Sequence, residues 1–177
     1  MRNSLYIAAA ALAFTASPAL AQDATGTVDV TGSVAGRCLF TTDNADIALG
    51  ELALAGTDTN AGKLNAAVVN AGTATLVGWC NNAAATMEVS ATKLTTPATA
   101  ATGFTNSIDY TATAVANNVE ATDTTTTELG GATADVGMFT GNIAVSLSNA
   151  AATGLLVAGD YSSTVTVTLS PAFTPPA

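Results

Sequence analysis

Runs in which every second residue is apolar recur along this chain, and they restrict it to strands. Met87/Val89/Ala91, Ile108/Tyr110/Ala112/Ala114, Phe139/Ile143/Val145/Leu147 with Gly141 between, and Tyr161/Val165/Val167/Leu169 all repeat with the two-residue period of a strand that buries one face. Links rich in Thr, Ala, Asn and Gly separate them, and beyond residue 21 no apolar stripe of period 3.6 reaches helix length. Apolar residues make up 49% of the chain but aromatics only 5%, so the core must be built from Ala, Val and Leu with few large rings. Strand runs at this spacing predict an all-β fold, an antiparallel sandwich.

The earliest such run is residues 26–34. Gly26, Val28, Val30, Gly32 and Val34 fall on one face, and Thr27, Asp29, Thr31 and Ser33 on the other. Glycine weakens an ordinary strand but admits close approach of another backbone or a bulky side chain. Two readings stay open at this point: the first strand of an ordinary sandwich, or a strand that completes some other sheet.

Residues 1–21 combine one cation, Arg2, a short apolar run over residues 5–14 and the small-x-small site Ala19-Leu20-Ala21, the pattern of an export signal. The apolar run is too short to span a bilayer, and Gln22 rather than Cys follows the site, which argues against membrane insertion or a lipid anchor. Without residues 1–21 the chain has 177 − 21 = 156 residues, enough for one domain. Its charges become 3 Lys+Arg against 13 Asp+Glu, a net of −10, which repels nucleic acid and anionic lipid.

Cys38 and Cys80, the two cysteines of an exported chain, are expected to form one disulfide, worth roughly 4 kcal/mol for a loop of this length. The bond would tie the first domain strand to the end of the run closing at Cys80. Trp79, beside Cys80, is expected to pack near the disulfide. With no histidine, two thiolates do not complete a zinc site. Asp43, Asp46 and Glu51 lack the spacing of a calcium loop and read as a solvated acidic loop. Residues 117–131, with threonines at 124–127, read as the longest link, an exposed loop or edge strand.

The two ends of the chain do not balance. The last strand run stops near Leu169, and Pro171, Pro175 and Pro176 exclude a further one in residues 171–177. A seven-strand immunoglobulin-like sandwich would then lack a partner beside its last strand and leave an open groove.

The spacing Gly26-Thr27-Val28-x-Val30-x-Gly32-x-Val34 with Cys38 shortly after, a second Cys some forty residues on, and the closing Ala158-Gly159-Asp160-Tyr161-Ser162-Ser163-Thr164-Val165-Thr166-Val167-Thr168-Leu169 resemble a chaperone-usher pilus subunit. The resemblance is to the spore coat protein U type domain of archaic pili and runs over the whole exported chain. The middle shares only the strand rhythm, and the proline-rich tail departs from subunits that end at their last strand. The resemblance implies an incomplete immunoglobulin-like β-sandwich over residues 35–170 with a donor-strand extension over residues 22–34. Gly26, Val28, Val30, Gly32 and Val34 would form the donor strand, with Gly32 where only hydrogen fits. Tyr161, Val165, Val167 and Leu169 would edge the acceptor groove, in a sheet pinned by the disulfide. The implied partners are identical or related subunits, a periplasmic chaperone and an outer-membrane usher, with a surface fibre serving adhesion or biofilm formation. No cofactor is implied.

Three other classes compete. A monomeric, self-complemented secreted β-sandwich would fold the N-terminal strand into its own groove, and oligomer size separates it from a fibre subunit. A tip adhesin would have no use for the well-formed front strand. An enzyme would need a nucleophile, base or nucleotide loop, and the sequence offers no histidine and no nucleophile elbow.

Overall fold

The computed structural model describes residues 23–127 and 130–172. The expected export signal, residues 1–21, and the end of the proline-rich tail, residues 173–177, lie outside them. The chain divides into two units, Met1–Ser33 and Val34–Ala177. In the first, residues 23–33 form no helix or strand.

The described residues of the second unit are all-β apart from one short helix. Its elements are β1 (Cys38–Thr42), α1 (Ala66–Asn70), β2 (Thr73–Cys80), β3 (Thr86–Ala91), β4 (Leu94–Thr95), β5 (Phe104–Thr105), β6 (Ser107–Ala116), β7 (Val119–Thr124), β8 (Ala134–Asp135), β9 (Phe139–Ala151), β10 (Leu155–Leu156) and β11 (Val165–Ser170). One six-stranded sheet runs β1-β2-β9-β6-β4, with β7 also on β6. A second sheet runs β11-β3-β8, and β10 with β5 forms a small parallel pair. Every pairing in the two larger sheets is antiparallel.

The alternation in the sequence becomes the core directly. Ile108, Tyr110, Ala112, Ala114 and Ala116 of β6, Ile143, Val145 and Leu147 of β9, and Met87 and Val89 of β3 are buried in one cluster. The alanines of β6 leave room for the larger side chains opposite, so a core poor in aromatics still closes. Its polar members have partners: buried Asp123 accepts from Ala91 N at 2.8 Å through Oδ2, and the Thr125 hydroxyl links Tyr110 N to Asp109 Oδ1, both at 3.0 Å. A buried carboxylate without such bonds would be costly.

Three expectations are corrected. Residues 117–131 are not one long link, because Ala116 pairs with Val119 across Asn117-Asn118, both at positive φ, a two-residue hairpin loop that leads into β7, which pairs with β6 at an edge and so fits the edge-strand alternative up to Thr124. Thr125 in the threonine run is buried by its hydrogen bonds, not exposed. Trp79 lies outside the core cluster that holds Cys80. Neighbours along a strand point to opposite faces, so Cys80 enters the core while Trp79 stays outside it, across from Leu39. The apolar run ahead of β2 forms α1, whose alanines suit a helical turn that buries Val69 against β9.

Cys38 and Cys80 are disulfide-bonded and face each other in the β1–β2 ladder. The bond therefore joins the start of β1 to the end of β2 inside the six-stranded sheet. β11 lies in the other sheet, so the expectation that the bond pins the sheet bearing the acceptor edge is corrected. Replacing both cysteines by serine should lower the unfolding free energy by about 2–5 kcal/mol, as for other small disulfide-bonded domains. Denaturant titration of the variant beside the native chain checks this, and an unchanged midpoint would refute it.

Candidate functional site: an open cleft between two unpaired edges

Among the described residues, β11 hydrogen-bonds to β3 on one side only. Thr92 N donates to Thr164 O at 3.0 Å, which makes Thr164–Thr92 a hydrogen-bonded pair of the antiparallel ladder. Such pairs alternate with non-bonded ones, so Thr166, Thr168 and Ser170 also face β3. On the far side of β3, Gly131 N donates to Val89 O at 2.9 Å, as the same alternation requires for the Val89–Val167 pair. The N–H and C=O groups of Val165, Val167 and Leu169 therefore point to the open edge. Their side chains turn inward, with Val167 buried and Val165 and Leu169 partly so.

Facing this edge is a second unpaired segment. Among the described residues, none from 43 to 51 takes part in a backbone–backbone hydrogen bond. Yet Ile47 and Leu49 are part-buried while Asp46, Ala48 and Gly50 are exposed, the alternation of a strand without a neighbour. The segment is held by packing: a β-carbon on Gly72 would lie 3.0 Å from Ile47 Cγ2 and 3.1 Å from Leu147 Cδ1. Glu51 folds its carboxylate onto Ala53 N at 2.9 Å, and Asp43 accepts from Asn44 Nδ2 at 3.0 Å, so both serve local turns.

Between these segments lies a cleft of about 890 Å³. One wall is residues 45–53, the other residues 156–163 with Val165 and Val167, and core side chains including Leu76, Val145 and Leu147 reach its floor. The Tyr161 hydroxyl lies 3.0 Å from Val157 O and 3.2 Å from Thr105 O, fastening the bend that precedes β11. Gly159 within this bend sits against Thr96, whose hydroxyl would collide with any β-carbon there. Tyr110 of β6 is hydrogen-bonded to Ser163, and Ser163 Oγ donates to Thr92 O at 2.9 Å. This polar bridge ties the two sheets together at the cleft.

The sequence-derived residues divide as follows. Tyr161, Val165 and Val167 line the cleft, but Tyr161 precedes β11 rather than belonging to it. Leu169 lies outside the cleft lining and packs toward Gly78, where its Cδ1 would be 3.3 Å from an added β-carbon. Val28, Val30 and Val34 are 87, 91 and 88% exposed. Gly26 and Gly32 would accept a β-carbon with nothing within 4 Å. The reading of residues 26–34 as the first strand of an ordinary sheet is corrected, because among the described residues these have no ladder partner and the first strand begins at Cys38. Sequence reasoning missed residues 43–51 as a wall, although the alternation of Ile47 and Leu49 was there to read. It also missed Tyr110 and Ser163 as a bridge.

Burial pushes the Tyr110 phenol above its usual range, the Ser163 hydrogen bond offsets part of the rise, and nearby Asp123 adds to it. Burial also raises Tyr161, against an offset from its bond to Val157. Tyrosines in the unfolded chain ionise near pH 10, where folded Tyr110 keeps its proton. The fold then binds more protons than the unfolded chain, so stability is intact below that pH and falls as pH rises toward the folded value. Tyr110→Phe should flatten this fall. Denaturant midpoints measured from neutral to strongly alkaline pH test it, and an unchanged slope would refute it.

The edge geometry yields a sharper test. Val165→Pro removes an N–H that faces the open edge, at the first residue of a strand, where proline is tolerated. Thr166→Pro removes one that faces β3 and should cost about 1–3 kcal/mol more. Equal loss of stability in the two variants would refute the assignment of the open edge.

Compared with protein-family models, curated proteins and solved structures, the chain finds no match, so the functional argument rests on the cleft and its two unpaired edges.

Proposed function

We propose that the chain is a structural subunit of a surface pilus, an incomplete immunoglobulin-like sandwich completed by a strand that a neighbouring subunit donates. The observation that carries this reading is the cleft with unpaired main chain on both sides: β11 at Val165, Val167 and Leu169, and residues 43–51 opposite. An added strand would find hydrogen-bond partners at both edges and pockets for alternate side chains, the physics of β-augmentation. Tyr161 supports the sandwich reading, since a tyrosine just before a strand that bonds to backbone a few residues upstream is a corner device of immunoglobulin-like domains.

Residues 26–34 suit the donor role. They alternate, lack a ladder partner of their own, and expose their valines. Donation from one copy to the next is a heterologous contact that does not close, so it builds a fibre. A chaperone that covers the open edge before assembly and an outer-membrane usher complete the proposed route to the cell surface, where the fibre serves adhesion or biofilm formation. The disulfide suits the oxidising compartment on this route.

Gly32→Leu should abolish fibres while leaving the folded, disulfide-bonded subunit in the periplasm, and Thr31→Leu on the opposite face should be tolerated. Electron microscopy of fibres beside immunoblots of periplasmic subunit measures both. Fibre yield from Gly32→Leu equal to the native chain would sink the donor assignment. Soluble monomer from the native chain under all assembly conditions would favour the self-complemented alternative.

A further inference from the structure

Beyond residue 21 the chain holds three cations, Arg37, Lys63 and Lys93, and so three bonds that a protease of trypsin-like specificity can attack. We propose that Arg37–Cys38 is a latent cleavage site for such a protease and that the side chain of Asn81 keeps it closed. Hydrolysis there would add one water across the amide, leaving a carboxylate on Arg37 and an amine on Cys38. The stretch ahead of Cys38 would be released with its exposed valines, while Cys38 and Cys80 would stay bonded within the domain. Asn81 therefore decides whether the chain keeps its N-terminal segment, whether or not that segment is donated to another copy.

Arg37 is exposed, so the side chain that sets this specificity is within reach. The residues before it offer no resistance: 23–33 form no strand, and Val34 is 88% exposed. Exposed, unpaired chain of this kind is where proteolytic nicking concentrates, and protection has to come from burial or hydrogen bonding of the backbone. A protease also needs the main chain around the bond to be extended and free to pair with its own cleft. At Arg37 that main chain is already taken.

The β1–β2 pairing reaches one residue past Cys38 and Cys80, where Asn81 N donates to Arg37 O at 3.0 Å. That oxygen belongs to the bond at risk, and it is the one a serine protease must draw onto its oxyanion-hole donors. In an ordinary hydrogen-bonded antiparallel pair the second bond would run from Arg37 N to the main-chain oxygen of residue 81. Instead Arg37 N donates to Asn81 Oδ1 at 2.6 Å, and Asn81 Nδ2 donates to Ala35 O at 3.1 Å. One asparagine thus holds Arg37 N, Arg37 O and Ala35 O, and the disulfide holds Cys38 on the other side of the bond. Gly36, between them, lies against the next residue: a β-carbon there would come within 2.7 Å of Asn82 Nδ2. Asn81 and Asn82 project to opposite faces, so the chain entering the clamp is held from both.

Limited digestion of the disulfide-bonded chain with trypsin, read by intact mass and N-terminal sequencing, follows all three bonds in one experiment. Asn81→Ala should speed cleavage after Arg37 by roughly tenfold or more, because losing two hydrogen bonds raises the population of the open form. Lys63, whose main chain is bonded to Leu54 and Asn60, and Lys93, ion-paired with Asp109, are held by other contacts and should be cut at their native rates. Asn81→Asp keeps the acceptor for Arg37 N and loses the donor to Ala35 O, so its rate after Arg37 should fall between those of the native chain and Asn81→Ala. Cleavage after Arg37 at the native rate in Asn81→Ala would overturn the proposal. Equal acceleration at all three bonds would overturn it as well, since that is the mark of a general loss of stability. Rapid cleavage after Arg37 in the folded native chain would show that no clamp protects the bond.

Discussion

Main-chain polar groups must be hydrogen-bonded or left in water, and the rest of this structure is arranged around where β11 meets that requirement. Its inner edge is satisfied by β3 along the whole strand. Its outer edge carries the N–H and C=O groups of Val165, Val167 and Leu169 while the same residues turn apolar side chains inward. Long unpaired edges of this kind are usually shortened, charged or covered. Here the edge is kept, and residues 43–51 stand across an apolar cleft with the same need. The two edges with unpaired main chain face each other across the same cleft.

What keeps the cleft open is packing on either side of it. Ile47 rests over Gly72 beside Leu147, which holds the first wall against β9 and the turn after α1. The Tyr161 hydroxyl and the bend at Gly159 fix the second wall, and the Tyr110–Ser163 bond joins the six-stranded sheet to the strand leading into β11. The buried carboxylate of Asp123 and the hydroxyl of Thr125 stiffen the same region from behind, through Ala91 N and Tyr110 N. Polar bonds within a core are fixed in geometry in a way that apolar contacts are not. They hold the shape that apolar side chains alone would let collapse.

The strands were legible in the sequence because each buries one face, and the period of Ile108, Tyr110, Ala112 and Ala114 or of Ile143, Val145 and Leu147 needs no partner to be seen. The disulfide was legible from two cysteines in a chain expected to be exported. Residues 43–51 were hidden because their alternation is short and begins in an Asp/Asn turn, so acidity outweighed Ile47 and Leu49. The hairpin at Asn117-Asn118 was hidden among threonines, although two asparagines between alternating runs carry the turn chemistry. Trp79 shows the limit of adjacency in sequence: one step along a strand moves a side chain to the other face. Tyr110 was visible as a core residue, but its bond to Ser163 joins positions 53 residues apart and depends on the fold.

The position of the disulfide has a mechanical side. Arg37, held to Asn81, is followed at once by Cys38, so a pull on the N-terminal segment reaches a covalent bond within one residue of the clamp. Cys80 stands at the end of β2, which is laddered to β9 over its full length. The load therefore crosses the disulfide into β2, an interior strand of the six-stranded sheet that is paired to β9 over its full length. Without the cross-link β1 would be first in line, and its bonds to β2 would open one after another like a zip. Tension delivered at this end of the domain meets a covalent bond before it meets the ladder of β1.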